Sequence, residues 1–206
     1  MLLTRDNLPK TIPDIATLDE LLCRPSQALI DDLNKVDGDI MIMGAGGKMG
    51  PTLAGLAKAA QPRRKVIGVA RFSEPGVKEW LEARGIETIN CDLLDEAAIR
   101  RLPQIPNIIF MAGRKFGAEG NLALTWAMNT HVPALVAQTF RHSRIVAFST
   151  GCVYPFVPVN GKGSDETMPP DPPGEYAQSC VGRERMFEYF SNQFKTPGRL
   201  FRLNYS

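Results

Sequence analysis

The chain has 206 residues, 44% of them hydrophobic, and 24 Lys plus Arg stand against 22 Asp plus Glu. That supplies one sizeable core, and a net charge of +2 gives no electrostatic reason to expect a nucleic acid or a membrane surface as partner. Cys23, Cys91, Cys152 and Cys180 are far apart and form no C-x-x-C pair, so neither a metal site nor a disulfide framework is expected; with no long apolar run for a leader or a span, a soluble, cytoplasmic protein fits.

Residues 1 to 38 read as an appendage with two short helices, one opened by the capping box Thr17-Leu18-Asp19-Glu20 and one after Ser26. The apolar run Asp39-Ile40-Met41-Ile42-Met43 then ends in Gly44-Ala45-Gly46-Gly47-Lys48-Met49-Gly50. A buried parallel strand reads as such a run. Gly44, Gly47 and Gly50 would let the chain turn, approach a pyrophosphate and pack the next helix, whose N-terminal amides face the phosphates. A merely structural glycine turn is the alternative. Lys48 lacks the spacing and the following Ser or Thr of an NTPase phosphate loop.

From residue 39 onward the pattern alternates: strand 39 to 43, helix 47 to 60, strand 65 to 71, helix 74 to 84, strand 86 to 90, helix 95 to 102, strand 107 to 112, helix 119 to 141, strand 144 to 149, helix 175 to 193, strand 199 to 204. The expected fold is α/β, a doubly wound parallel sheet (Rossmann fold) with helices on both faces, as one domain over 39 to 206. The proline-rich stretch from Pro155 to Gly174 breaks the rhythm. It leaves the carboxyl end of a strand, so it reads as a substrate-side loop or as plain disorder.

About twenty residues past the glycines, an NAD site usually presents an acidic residue to the adenosine ribose. The chain has Gly68-Val69-Ala70-Arg71-Phe72 there. With no carboxylate to repel a 2′-phosphate and Arg71 able to fork onto it, NADP is expected as cofactor, with NAD the alternative and Lys48 a second positive charge. Arg71 as a solvated strand-end residue is the plain reading.

Further segments in the same order resemble the extended short-chain dehydrogenase/reductases, the NAD(P)-dependent nucleotide-sugar epimerase and dehydratase group, from about residue 39 to the C-terminus. Cys91-Asp92-Leu93 is similar to the segment where an Asp meets the adenine. Ile109-Phe110-Met111-Ala112-Gly113-Arg114-Lys115 resembles the strand and turn beneath the cofactor, and Asn129 matches the helix Asn. Together with the glycine loop and Arg71 read above, the resemblance completes the expected cofactor-binding set: Gly44, Gly47, Lys48, Met49, Gly50, Arg71, Asp92, Leu93, Met111, Ala112, Gly113, Lys115, Asn129 and Tyr176.

Phe148-Ser149-Thr150-Gly151-Cys152-Val153-Tyr154 is similar to the family's Ser/Thr-x-x-Val-Tyr segment and places Thr150 at its catalytic hydroxyl. Tyr176-Ala177-Gln178-Ser179-Cys180 matches the Tyr-x-x-x-Lys helix, except that Cys180 stands where the lysine belongs. The implied activity is hydride transfer on a small-molecule substrate, a nucleotide sugar or related compound, with Tyr176 as acid/base. An ordinary Tyr is only about one part in a thousand ionised at neutral pH, so a cation is needed nearby. Lys115 is the candidate substitute, or else a surface lysine. Arg183 and Arg185 are expected to meet solvent or Glu184, and His131 and His142 are given no role. A non-catalytic cofactor-binding protein is the alternative. Extended members also carry a C-terminal region that forms most of the substrate pocket. The chain stops at Ser206 directly after a strand, so either it is a fragment of a longer protein or its substrate site is expected to be largely absent or supplied by a partner, and the exposed sheet edge leaves a homodimer open.

Overall fold

The apolar runs become strands, and the Ala- and Leu-rich stretches helices, in the computed structural model, which describes residues 1–115 and 120–204. In chain order these are α1 (Ile15–Leu22), α2 (Gln27–Leu33), β1 (Ile40–Met43), α3 (Gly50–Ala60), β2 (Val66–Ala70), α4 (Val77–Glu82), β3 (Glu87–Asn90), α5 (Glu96–Arg101) and β4 (Asn107–Phe110). They continue with α6 (Leu122–Trp126), α7 (Val132–Thr139), β5 (Arg144–Thr150), α8 (Glu175–Phe194) and β6 (Gly198–Leu203). The strand order is β3-β2-β1-β4-β5-β6, with β1–β2, β2–β3 and β5–β6 in parallel register. This is the expected doubly wound parallel sheet, a Rossmann fold.

The chain divides into two units, Met1–Asp92 with Ile105–Ile109, and Leu93–Gln104 with Phe110–Ser206. In the first, all four residues of β1 and four of the five in β2 are buried, as a strand covered on both faces requires. The appendage is stitched to the same unit. Arg64 donates to the carbonyls of Leu33 and Val36 at 3.0 and 2.7 Å, and a Cβ on Gly55 of α3 would lie 2.5 Å from the Cys23 sulfur. The helix expected to open at Thr17 instead begins at Ile15: Asp14, in extended conformation, accepts the Thr17 N–H at 2.7 Å. Thr17 is therefore the third helical residue and not the cap. Ser26 caps α2 as expected, accepting from the Leu29 N–H at 3.2 Å.

The second unit packs Phe110, Val136, Phe140, Ala147 and Phe187 as core, with the Phe110 and Phe187 rings edge-to-face at 5.2 Å. The long helix expected over 119 to 141 begins outside the described residues and is otherwise in three parts. Five residues of α6 run into a π-helical turn, Ala127–His131, and then into α7. Such turns are rare and favour functional positions.

Candidate active site

In the first unit the chain leaves the carboxyl end of β1 at Gly44, whose φ of +96° a side chain would strain. The Gly44 and Ala45 N–H groups both donate to the Val69 carbonyl, at 2.9 and 3.2 Å, which ties the turn to β2. A Cβ on Gly50 would sit 2.6 Å from the Ala45 backbone, so only glycine lets α3 start so close to the strand. Gly46, which the three-glycine spacing passes over, is also confined, its position for a Cβ lying 3.0 Å from that of Ala70. Gly47 and Lys48 are exposed. Met49 precedes α3 and no side chain caps the helix's first turn, which leaves its N-terminal end fit for an anion. Arg71 is exposed immediately after β2, its carbonyl held by the Asn90 side-chain amide at 3.2 Å. Asp92 is exposed after the buried Cys91.

In the second unit Leu93 and Ala112 are buried, Met111 half-buried, and Gly113 and Lys115 exposed on the turn after β4. Asn129 is fully buried at the centre of the π-helical turn. Its Oδ1 accepts the Arg114 N–H at 2.8 Å and its Nδ2 donates to the Arg114 carbonyl at 3.0 Å. The same Nδ2 donates to Ser179 Oγ at 3.0 Å, and Ser179 donates in turn to the Tyr176 carbonyl at 2.6 Å. One amide thus joins the turn beneath the expected cofactor to the first turns of α8.

Thr150 ends β5, its Oγ1 accepting the Cys152 N–H at 3.1 Å, which leaves the hydroxyl proton to donate. Tyr176 is half-buried in the first turn of α8. Burial, and then the neighbouring Cys180 thiol that accepts from it, push the phenol well above its usual value, while the Arg183 charge opposes them. Burial likewise pushes the Cys180 thiol up, so at neutral pH Cys180 is a small neutral group, with the exposed Cys152 also near enough to act on it.

The sequence reading needs correction at Arg183. It meets neither solvent nor the Glu184 carboxylate: it is 7% exposed, and it donates to the Phe148 carbonyl and to Asn129 Oδ1, both at 2.9 Å. Arg185 is exposed and pairs with Glu188 at 2.6 Å. Glu184 is wholly buried. It accepts from Ser149 Oγ at 2.5 Å and from Arg202 at 3.0 and 2.8 Å, while Arg202 also donates to the Tyr154 hydroxyl at 3.0 Å. Ser149, Glu184, Arg202 and Tyr154 went unmarked as a group because eighteen residues separate the carboxylate from its cation, beyond any local spacing rule.

Arg202, Tyr154 and Asn204 face Ser164, Asp165 and Glu166 of the proline-rich loop across a cleft of about 360 Å³, in keeping with a substrate-side loop. An apolar cavity of about 310 Å³ is lined by Ile145, Gly198 and Phe187, among others. Ile145 and Gly198 stand at the amino ends of their strands, the end of a parallel sheet that ligands do not use.

A family model, the NAD dependent epimerase/dehydratase family, matches residues 40–204. No curated protein matches the chain. Among solved structures, UDP-glucuronic acid 4-epimerase from Bacillus cereus, in complex with UDP-glucuronic acid and NAD, aligns with a TM-score of 0.68 at 18% identity, covering 80% of this chain and 55% of that one. UDP-glucose 4-epimerase from Thermotoga maritima, with UDP-glucose, gives 0.69 at 19%, covering 80% and 54%. The dTDP-glucose 4,6-dehydratase from Streptomyces venezuelae, with NAD and TYD bound, gives 0.68 at 19%, covering 79% and 54%. The chain spans about half the length of these structures. Among the described residues no helix is long and apolar enough to cross a membrane.

Proposed function

The chain belongs to the NAD-dependent epimerase/dehydratase family, and from that premise we propose that it is a nicotinamide-dependent epimerase, dehydratase or oxidoreductase acting on a nucleotide sugar or a related hydroxyl or carbonyl compound. The observation that carries the reading is Tyr176, held half-buried in the first turn of α8, in a chain whose β5 ends on the hydroxyl of Thr150.

The glycine turn fits a pyrophosphate: Gly44 and Gly50 make it tight, and Gly47 is exposed with only the Gly44 carbonyl within 4 Å of where a Cβ would stand. Gly44, Gly47, Lys48, Met49 and Gly50 would hold that group. Arg71 would hold a ribose 2′-phosphate, the reason to favour NADP, and Asp92 and Leu93 would lie at the adenine. Met111, Ala112, Gly113, Lys115, Asn129 and Tyr176 are the residues assigned to the nicotinamide end. When bound, the nicotinamide would supply a reversible hydride acceptor for the substrate carbon. The Tyr176 phenolate oxygen takes the proton of the substrate hydroxyl as the C–H bond breaks, and the neutral phenol gives it back when the carbonyl is reduced. Thr150 donates a hydrogen bond to the same substrate oxygen, and Lys115 would add charge there.

Tyr176→Phe should lower turnover by about 10²- to 10⁴-fold, measured on purified protein with a panel of UDP- and dTDP-sugars. Binding of a dinucleotide with no turnover of any sugar nucleotide or carbonyl compound, and no effect of Tyr176→Phe, would remove the catalytic reading. A cofactor-binding protein without turnover would then stand, the reading favoured by the neutral, buried Cys180 and the tightly held phenol proton. Cys180→Lys separates the two: a large gain of activity marks a degenerate site, whereas a loss marks a working arrangement already supplied with charge.

A further inference from the structure

Arg183 is a buried cation that forms no ion pair among the described residues. Its two terminal nitrogens donate to neutral oxygens, the Phe148 carbonyl and Asn129 Oδ1, and its Nε is buried with no partner. A guanidinium taken out of water and given only neutral acceptors is unfavourable unless negative charge develops beside it. The adjacent carboxylate does not serve, since Glu184 is occupied by Ser149 and both Arg202 contacts. From these observations, and resting on the assignment of Tyr176 as the acid/base group, we infer that Arg183 is the positioning cation of the site, supplying from one turn further along α8 the positive charge that the Tyr-x-x-x-Lys pattern would place at position 180.

The helix geometry allows it. Positions 176, 180 and 183 follow the spacing of one helix face, and a long helical side chain runs back over the preceding turn, toward Cys180 and Tyr176. The same charge acts on both: it lowers the proton affinity of the phenol and of the thiol, against burial, which raises them. The head group is held in place. Asn129 Oδ1 accepts from Arg183 while the Asn129 amide is fixed by Arg114 and Ser179. Gly113 makes room, because a Cβ there would collide with Arg183 Nη2. Cys180 is small and wholly buried, so α8 carries its cation at 183 instead.

The test reads the phenol directly and needs neither cofactor nor substrate. Difluorotyrosine placed at position 176 brings the ionisation into a range that folded protein tolerates, and fluorine NMR follows its midpoint. Arg183→Met should raise that midpoint by about one to three pH units, Arg183→Lys should restore part of the shift, and Cys180→Lys added to Arg183→Met should restore it from the other position. An unmoved midpoint in a folded Arg183→Met protein, or no rescue by Cys180→Lys, overturns the inference. If Arg183→Met does not fold, the Cys180→Lys/Arg183→Met and Arg183→Lys proteins decide, and midpoints well above wild type in both overturn it. The two readings fail separately: a midpoint that follows Arg183 in a protein without turnover refutes only the acid/base role, and turnover lost in Tyr176→Phe with an unmoved midpoint refutes only the role of Arg183.

Discussion

Glu184 is a carboxylate with no exposed surface, and three donors, Ser149 Oγ and two nitrogens of Arg202, account for both its oxygens. The bond to Glu184 is the largest influence holding the proton on Arg202. Removing the cation leaves an uncompensated charge in the interior, so Arg202→Met should cost about 3–5 kcal/mol, read from urea unfolding of the whole chain, and a loss under about 1 kcal/mol would mean that water reaches the carboxylate. Titration gives a second expectation. The folded state holds the Tyr176 and Cys180 protons more tightly than their ordinary 10.0 and 9.0, so above about pH 9 the unfolded chain binds fewer protons and stability falls as pH rises. The contribution is whole below those ordinary values and is lost as pH climbs through the folded ones. Tyr176→Phe/Cys180→Ala should flatten this alkaline limb of the stability profile, and an unchanged slope would place the titration elsewhere. At this scale the sequence showed residues whose type and local spacing suffice, such as Gly44 and Gly50. It hid Arg183, whose burial depends on a carbonyl thirty-five residues away, and the partnership of Glu184 with Arg202.

Among the elements, α8 and the π-helical turn decide how the second unit is arranged. A Cβ on Gly182 would come within 2.5 Å of Thr130 Oγ1 and 3.0 Å of its Cγ2, and Thr130 Oγ1 donates to the Ser179 carbonyl at 3.1 Å. Gly182→Ala must therefore move the helix off the turn or break that bond. We expect a cost of about 1–3 kcal/mol together with faster amide exchange at Ser179 and Arg183, because Asn129 and its partners ride on the same contact; a protein as stable as wild type with unchanged exchange would refute this close packing. The existence of α8 and of the helices around residues 122 to 139 was legible from composition and apolar spacing. The turn that carries Asn129 was not, since one extra residue per turn shifts a face without changing the kind of residue on it. The start of α1 was misread for a related reason: Asp14 and Thr17 are both good caps, and only backbone conformation chooses between them.

For the whole molecule the alternation of strands and helices sufficed for the fold, because parallel order and crossover hand leave few alternatives, while the division into two units interleaves segments in a way that composition does not mark. The nucleotide is the property that the entire chain can report. A ligand that binds only the folded state stabilises it by about 2.7 kcal/mol at a hundred times its dissociation constant, so thermal unfolding in NAD and in NADP ranks the two without any knowledge of the substrate. Arg71 is exposed, with its backbone fixed by Asn90, so its side chain can reach a 2′-phosphate at no cost to the turn. NADP should raise the melting temperature more than NAD at equal concentration, and Arg71→Ala should remove most of the NADP advantage while leaving the NAD shift in place. Equal shifts that ignore the substitution would reassign Arg71 to the solvated surface. Gly50→Ala should abolish both shifts by forcing α3 away from Ala45; if both shifts survive it, the glycine turn is structural and the dinucleotide binds by other residues.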